Sequence, residues 1–266
     1  RIIFENPKNI GDFDYLIFDE AQRLKNSTSN VHQACKKIEA KNIWMLSGTP
    51  LENNSGDIVS LFSILKYGTL QSGYTPKEIK EIISPYLLRR LKEDLLKELP
   101  DLLEENKYID LNDKQLIFYN SLIQRKLELD KKDSSGMLAL ITELKKACNY
   151  DPISETSSKL DYLKEIIEDT FNNNEKIIVF SQYVESLKFI QNNLQVKSIL
   201  FDGSLNKSQK DSAVDEFQNS TESIVFLASL QAGGVGLNLQ AASRVVIFDR
   251  WWNPAVEKQA IARAHR

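Results

Sequence analysis

Short apolar runs alternate along the chain with stretches whose apolar positions recur at helical spacing. "YLIFD" (Tyr15–Asp19) and "NIWMLSG" (Asn42–Gly48) read as buried strands, each followed by a helical pattern. The rhythm breaks between Ser84 and Pro152. There the pattern is mostly helical and heavily charged, with one further strand expected at "ENKYIDL" (Glu105–Leu111) and an amphipathic helix at "RRLKEDLLKELP" (Arg89–Pro100). After the polar, turn-rich "DPISETSS" the alternation returns with "KIIVFSQ", "VKSILFDG", "SIVFLAS" and "SRVVIFDR". Strands alternating with helices predict βαβ units and parallel sheets. The expected fold is therefore α/β, with two lobes around a helical insert. The first lobe takes residues 1–100, the insert 101–157 and the second lobe 158–266.

Composition changes this picture little. Of 266 residues, 42% are hydrophobic and 27% charged, enough to build cores. The net charge of −3 argues against a blanket polyanion binder but leaves room for a local basic channel. Cys35 and Cys148 are the two cysteines, too few for a disulfide framework or a zinc site, which points to a reducing intracellular setting. No apolar run is long enough to span a membrane and no signal peptide is present. The start at "RIIFENPKN" and the stop at "ARAHR" read as cuts through a larger protein, with the first lobe incomplete.

The chemistry collects at the strand ends, where open parallel sheets bind ligands. Asp19 and Glu20 follow the first strand. Paired carboxylates there suit a magnesium ion and an attacking water, although "DE" alone is more often a solvated turn. Ser47, Gly48 and Thr49 follow the second strand and are placed to meet those carboxylates or a phosphate. Gly233, Gly234 and Gly236 share one loop, which suits close approach to a phosphate and equally suits a tight turn. Gln259, Arg263 and Arg266 stand at spacings that share one face of a helix, where arginines can neutralise a transferring phosphoryl group or simply face water. Ser181, Gln182, Ser229 and Asp249 complete the set of polar strand ends.

Taken together and in this order, "DEAQ", "SGTPLEN", "IIVFSQY", "GGVGLNLQAASRVVIFDRWWNP" and "QAIARAHR" resemble the SWI/SNF family of helicase-like, DNA-dependent ATPases in helicase superfamily two. "LLRRLKEDLLKELP" and "LKKACNYDP" are similar to that family's connecting region. The resemblance implies two RecA-like lobes, ATP and magnesium as cofactors, and double-stranded DNA as partner, with DNA-bound proteins as targets of remodelling. It implies that Asp19 holds magnesium and Glu20 activates water. Gln22, Ser47 and Thr49 would couple nucleotide state to lobe movement, with Gly48, Gly234, Gly236 and Gln259 at the nucleotide. Arg263 and Arg266 would reach the γ-phosphate from the second lobe. Ser181, Gln182, Lys210, Ser229, Asn238 and Trp252 would face the DNA, while Trp251 and His265 read as packing residues. A monomer is expected, located in the cytoplasm (nucleoid) of a prokaryote or the nucleus of a eukaryote.

The sequence departs from the family pattern in several places. No Gly-Lys pair of a phosphate cradle occurs, and the cradle would lie before Asp19. The chain by itself is therefore expected to bind ATP weakly and to be inactive, the longer parent being the enzyme. A scaffold or regulatory module that keeps the fold without nucleotide binding is the rival expectation. Lys210 stands where the family usually has Arg, Gln231 where Lys is frequent, and Ala262 where Asp is frequent.

Overall fold

The computed structural model describes residues 13–48, 55–70, 73–90, 102–127, 134–233 and 237–265. Thr49, Gly234, Gly236, Arg266 and, of the helix expected at Arg89–Pro100, all but Arg89 and Arg90 lie outside them; those two residues are not helical. The chain divides into two compact units, Arg1–Glu98 and Leu99–Arg266.

In the first unit, β1 (Phe13–Phe18) pairs in parallel with β2 (Ala40–Met45), Phe18 opposite Met45. Between them come a 3-10 turn (Ala21–Leu24) and helix α1 (Asn30–Cys35), whose N-cap Ser29 accepts the His32 N–H. Helix α2 (Ser55–Leu65) supplies Leu61 and Ile64, which pack with Leu24, Cys35, Phe18 and Met45. Helix α3 (Pro76–Ile83) starts with a capping box from Thr75 and Glu78 and adds a second small core through Ile79 and Ile83.

The two strands are not buried as their apolar sequence suggested. Tyr15, Ile17 and Trp44 are 62%, 56% and 58% exposed. Successive strand residues face opposite ways, and the cluster holding Phe18 and Met45 covers only one face. Tyr15 and Trp44 meet edge to face across the pair on the other.

The second unit contains a parallel four-stranded sheet in the order β4 (Ser198–Phe201), β5 (Val225–Ser229), β3 (Ile177–Ser181), β6 (Arg244–Ile247). Its central strands are fully buried, as parallel strands covered on both faces should be. Alternate residues feed two cores. Ile177, Val179, Val225 and Leu227 pack under Leu160, Leu163, Leu187 and Ile190. Ile178, Phe180, Phe226 and Ala228 pack under Phe217, Leu230, Leu239 and Ala260. The covering helices are α6 (Ser158–Asn172), α7 (Val184–Asn193), α8 (Lys207–Asn219), the short α9 (Leu230–Gly233) and α10 (Pro254–Ile261).

Helices α4 (Asp113–Leu127) and α5 (Ser134–Ala147) belong to this unit and pack through Leu122, Leu140 and Ala147. The strand expected at Glu105–Leu111 does not form. The segment is irregular, and Tyr108 in it is almost wholly exposed. Polar bonds pin it instead: Arg250 Nη1 donates to Asn106 Oδ1 at 3.1 Å, and Asn112 N–H donates to Ser158 Oγ at 3.0 Å. Gln115, fully buried, ties the start of α4 to Ala147 and Ser158. No helix among the described residues is long and apolar enough to cross a membrane.

Candidate functional site

The backbone ladder runs on past the paired strands of the first unit. Leu46 N–H donates to Phe18 O at 2.8 Å and Ala21 N–H to Leu46 O at 2.9 Å, which brings "DEAQ" beside "SGT". Glu20 makes the turn with φ 50° and ψ 45°, a left-handed conformation uncommon for a residue with a side chain. Asp19 is exposed, and its Oδ1 takes the Glu20 N–H at 2.8 Å. Ser47 donates its hydroxyl to Gln22 Oε1 at 2.7 Å, and Gln22 Nε2 donates to Glu20 Oε2. Gly48 follows, exposed. Three sequence-predicted residues thus form one chain of hydrogen bonds, Ser47 to Gln22 to Glu20.

Among the described residues no three His, Cys, Asp or Glu side chains gather to cage a metal. A cation at Asp19 would take one carboxylate with phosphate and water oxygens, the coordination Mg²⁺ accepts. A single exposed carboxylate at Asp19 fits that ion.

In the second unit, register does the gathering. Ser181 stands opposite Ser229, and Phe180 opposite Ile247, so the ends of β3, β5 and β6 lie side by side. A cavity of about 430 Å³ opens beyond the ends of β3, β5 and β4, lined by Gln182, Lys210, Ser229, Gln231, Gly203 and Leu237 among others. Gln182 Nε2 is buried and, among the described residues, makes no hydrogen bond of good geometry, although its side chain lies beside that of Tyr183. Lys210 is half-buried on α8, and Ser229 is buried at its strand end. Asp202, buried at the end of β4, is held below the usual carboxylate range mainly by the Ser204 hydroxyl. Burial works against that shift, while the Ser204 N–H and the ammonium groups of Lys188 and Lys210 add to it.

The other expected nucleic-acid contacts are distributed differently. Ser181 is fully buried, its hydroxyl donating to Asp249 and accepting the Tyr183 N–H at 3.0 Å. Asn238 is exposed outside the cavity wall, its carbonyl accepting Gln218 Nε2 at 2.6 Å. Trp252 is 67% exposed with the Lys145 ammonium 4.2 Å from its ring centre, while Trp251 packs on the core.

Helix α10 ends at Ile261, sooner than the "QAIARAHR" spacing suggested. Arg263 N–H donates to Ala260 O and Ala264 N–H to Ile261 O, three residues back, while His265 N–H still reaches Ile261 O, four back, so the helix gives way to a mixed turn. Gln259 and Arg263 are half-buried, as is His265. The Arg263 carbonyl accepts the Leu239 N–H at 3.1 Å, which joins this turn to the segment after the glycine loop.

A buried polar hub was missed by sequence reasoning. Asp249 accepts from Gln182 N–H, Ser181 and Asn149. Asn149 also bonds Ser186 and Lys159. Burial pushes the Lys159 ammonium down, against the attraction of Asp249. Asn149 and Asp249 stand 100 residues apart, so no local pattern links them.

A parallel α/β unit with polar strand ends, and one carboxylate tied through Gln22 to the next strand's serine, match the RecA-like lobes of SWI2/SNF2 ATPase cores. The chain belongs to the SNF2 family: the SNF2-related domain matches residues 4–153, and the helicase conserved C-terminal domain matches residues 158–266. An uncharacterized ATP-dependent helicase of Mycoplasma pneumoniae is 36% identical over 96% of this chain and 27% of its own length. The putative ATP-dependent helicase/translocase YwqA of Bacillus subtilis is 32% identical over 94% of this chain and 31% of its own. The chain therefore spans less than a third of these relatives. The Sulfolobus solfataricus SWI2/SNF2 ATPase core in complex with dsDNA aligns over 100% of this chain and 63% of that one, with 30% identity and a TM-score of 0.53.

Proposed function

We propose that this chain forms part of the motor of an ATP-driven translocase that moves along double-stranded DNA and remodels protein–DNA complexes. The observation that carries the reading is the convergence of Gln182, Lys210 and Ser229 on one cavity at the strand ends of the second unit. A cation and two neutral polar groups suit a phosphate of the DNA backbone, which a sequence-independent motor must grip. Gln182, which lines the cavity, carries an amide that could donate to a phosphate oxygen once its side chain turns toward the opening. Exposed Trp252 adds an aromatic surface beside Lys145. The relative solved with dsDNA supports the choice of a duplex.

In this reading Asp19 would hold Mg²⁺, which would supply charge stabilisation at the nucleotide, and Glu20 would orient the attacking water. Gln22 and Ser47 tie that carboxylate to the second strand. Arg263 and Arg266 offer positive charge to the transferring phosphoryl group, where it counts more in the transition state than in bound ATP. The bound nucleotide supplies the driving phosphoryl transfer; these side chains position, polarise and couple.

The deciding measurement is ATP hydrolysis by the full-length protein with and without duplex DNA. Stimulation by duplex that fades steeply with salt is the expected result. Equal stimulation by RNA would make it an RNA helicase. No hydrolysis under any condition would leave the scaffold reading.

A further inference from the structure

Asp249 is 4% exposed, and among the described residues its carboxylate has no ion-pair partner. Burying such a charge costs several kcal/mol unless donors converge on it. Three do. Gln182 N–H reaches Oδ1 at 3.0 Å; Asn149 Nδ2 reaches Oδ2 at 3.0 Å; the Ser181 hydroxyl also reaches Oδ2. Strand pairing puts the carboxylate there, since β6 lies beside β3 and Phe248 N–H donates to Phe180 O at 2.8 Å.

Asn149 is fully buried and fully engaged. Its second amide hydrogen goes to Ser186 Oγ at 3.0 Å, and its Oδ1 takes Lys159 Nζ at 3.0 Å. Lys159 in turn donates to Phe248 O at 3.0 Å. The positive charge thus reaches Asp249 through an amide, and Asn149 cannot turn without breaking a bond. Apart from Asn149, the groups Asp249 grips lie in Ser181 and Gln182, and Ser181 passes the hold on by accepting the Tyr183 N–H.

We propose that Asp249, clamped by Asn149, is the positioning residue of the duplex-gripping loop: it fixes the Gln182 backbone so that the side chain lines the cavity with Lys210 and Ser229. The inference rests on the DNA reading of that cavity. A carboxylate is required because the three groups around it are all donors. An amide in its place turns an N–H toward at least one of them.

The test uses the full-length protein with Asp249→Asn, Asn149→Asp and the two combined. A short fluorescent duplex reports DNA affinity, nucleotide binding is measured beside it, and hydrogen exchange reports the Gln182 and Tyr183 amides. Asp249→Asn is expected to weaken duplex binding about tenfold, the loss of roughly one good hydrogen bond. ATP affinity should stay at the wild-type level while the two amides lose protection. The combined variant restores a donor–acceptor pair between positions 149 and 249 and an acceptor for Gln182 N–H, so it should recover most of the affinity and the protection.

Wild-type duplex binding and wild-type protection in Asp249→Asn would overturn the positioning role. So would a parallel loss of ATP affinity, DNA affinity and protection throughout the second unit that the combined variant fails to rescue, since that marks a purely structural residue. Absence of duplex binding by the wild-type protein would instead overturn the DNA reading, and the positioning role with it.

Discussion

Ser47 donates its hydroxyl hydrogen to Gln22 Oε1 at 2.7 Å, and the amide of Gln22 donates onward to Glu20. A side chain at the end of the second strand thereby holds the carboxylate at the end of the first. Ser47→Ala removes the first link and leaves Glu20 in place. The expected outcome in the full-length protein is basal hydrolysis within a few-fold of wild type and a large loss of DNA stimulation. Steady-state turnover with and without duplex checks it; intact stimulation would show that the link couples nothing.

Glu20→Gln should lower hydrolysis by about 10²–10⁴-fold, as for loss of a general base. The amide keeps the side chain's size and leaves Asp19, the proposed cation ligand, untouched, so Mg·ATP binding should persist. Turnover near wild type would remove Glu20 from the water-activating role.

Lys210 lines the cavity, and its expected phosphate contact contributes counterion release. Lys210→Gln should weaken duplex binding about equally for all sequences and reduce the salt slope by about one unit. Duplex titrations at several salt concentrations read both quantities. An unchanged slope would mean that the ammonium meets no phosphate.

Arg263→Ala keeps the backbone carbonyl that receives Leu239 N–H, so the local fold should hold. Loss of a finger-type arginine then predicts a kcat lower by about 10³-fold with nearly unchanged ATP affinity. Single-turnover hydrolysis beside nucleotide binding separates the two. Lost affinity with a preserved rate would give Arg263 a holding role.

Asp202 carries a pH dependence. Its folded carboxyl sits below the usual carboxylate range, chiefly through the Ser204 hydroxyl. The unfolded chain therefore takes up this proton more readily. The stabilisation is present above the ordinary carboxylate range and is lost as pH falls through the depressed folded value. Ser204→Ala should cost about 1–2 kcal/mol at neutral pH, a charge-assisted hydrogen bond, and should flatten the acid-side loss. Urea denaturation at neutral and acid pH reads both; identical pH dependence in the two proteins would discard the assignment.

The sequence by itself determined what short-range physics controls. The runs around Tyr15–Phe18, Ile177–Ser181 and Val225–Ser229 are strands, as their apolar, aromatic and β-branched side chains suit a pleated backbone packed on a neighbour. The polar residues that end them were legible for the same reason, as was the family's order of motifs. Only the tertiary structure decided which faces of β1 and β2 stay open, because exposure of Tyr15 and Trp44 depends on what packs across the pair. It also ended the last helix at Ile261, where the Arg263 carbonyl turns to Leu239 and three-residue bonds mix with four-residue ones. Above all it placed Asp249 against Asn149 and Gln182. That meeting depends on strand order and register, and each bond forms between residues far apart in the chain, beyond the reach of any local preference.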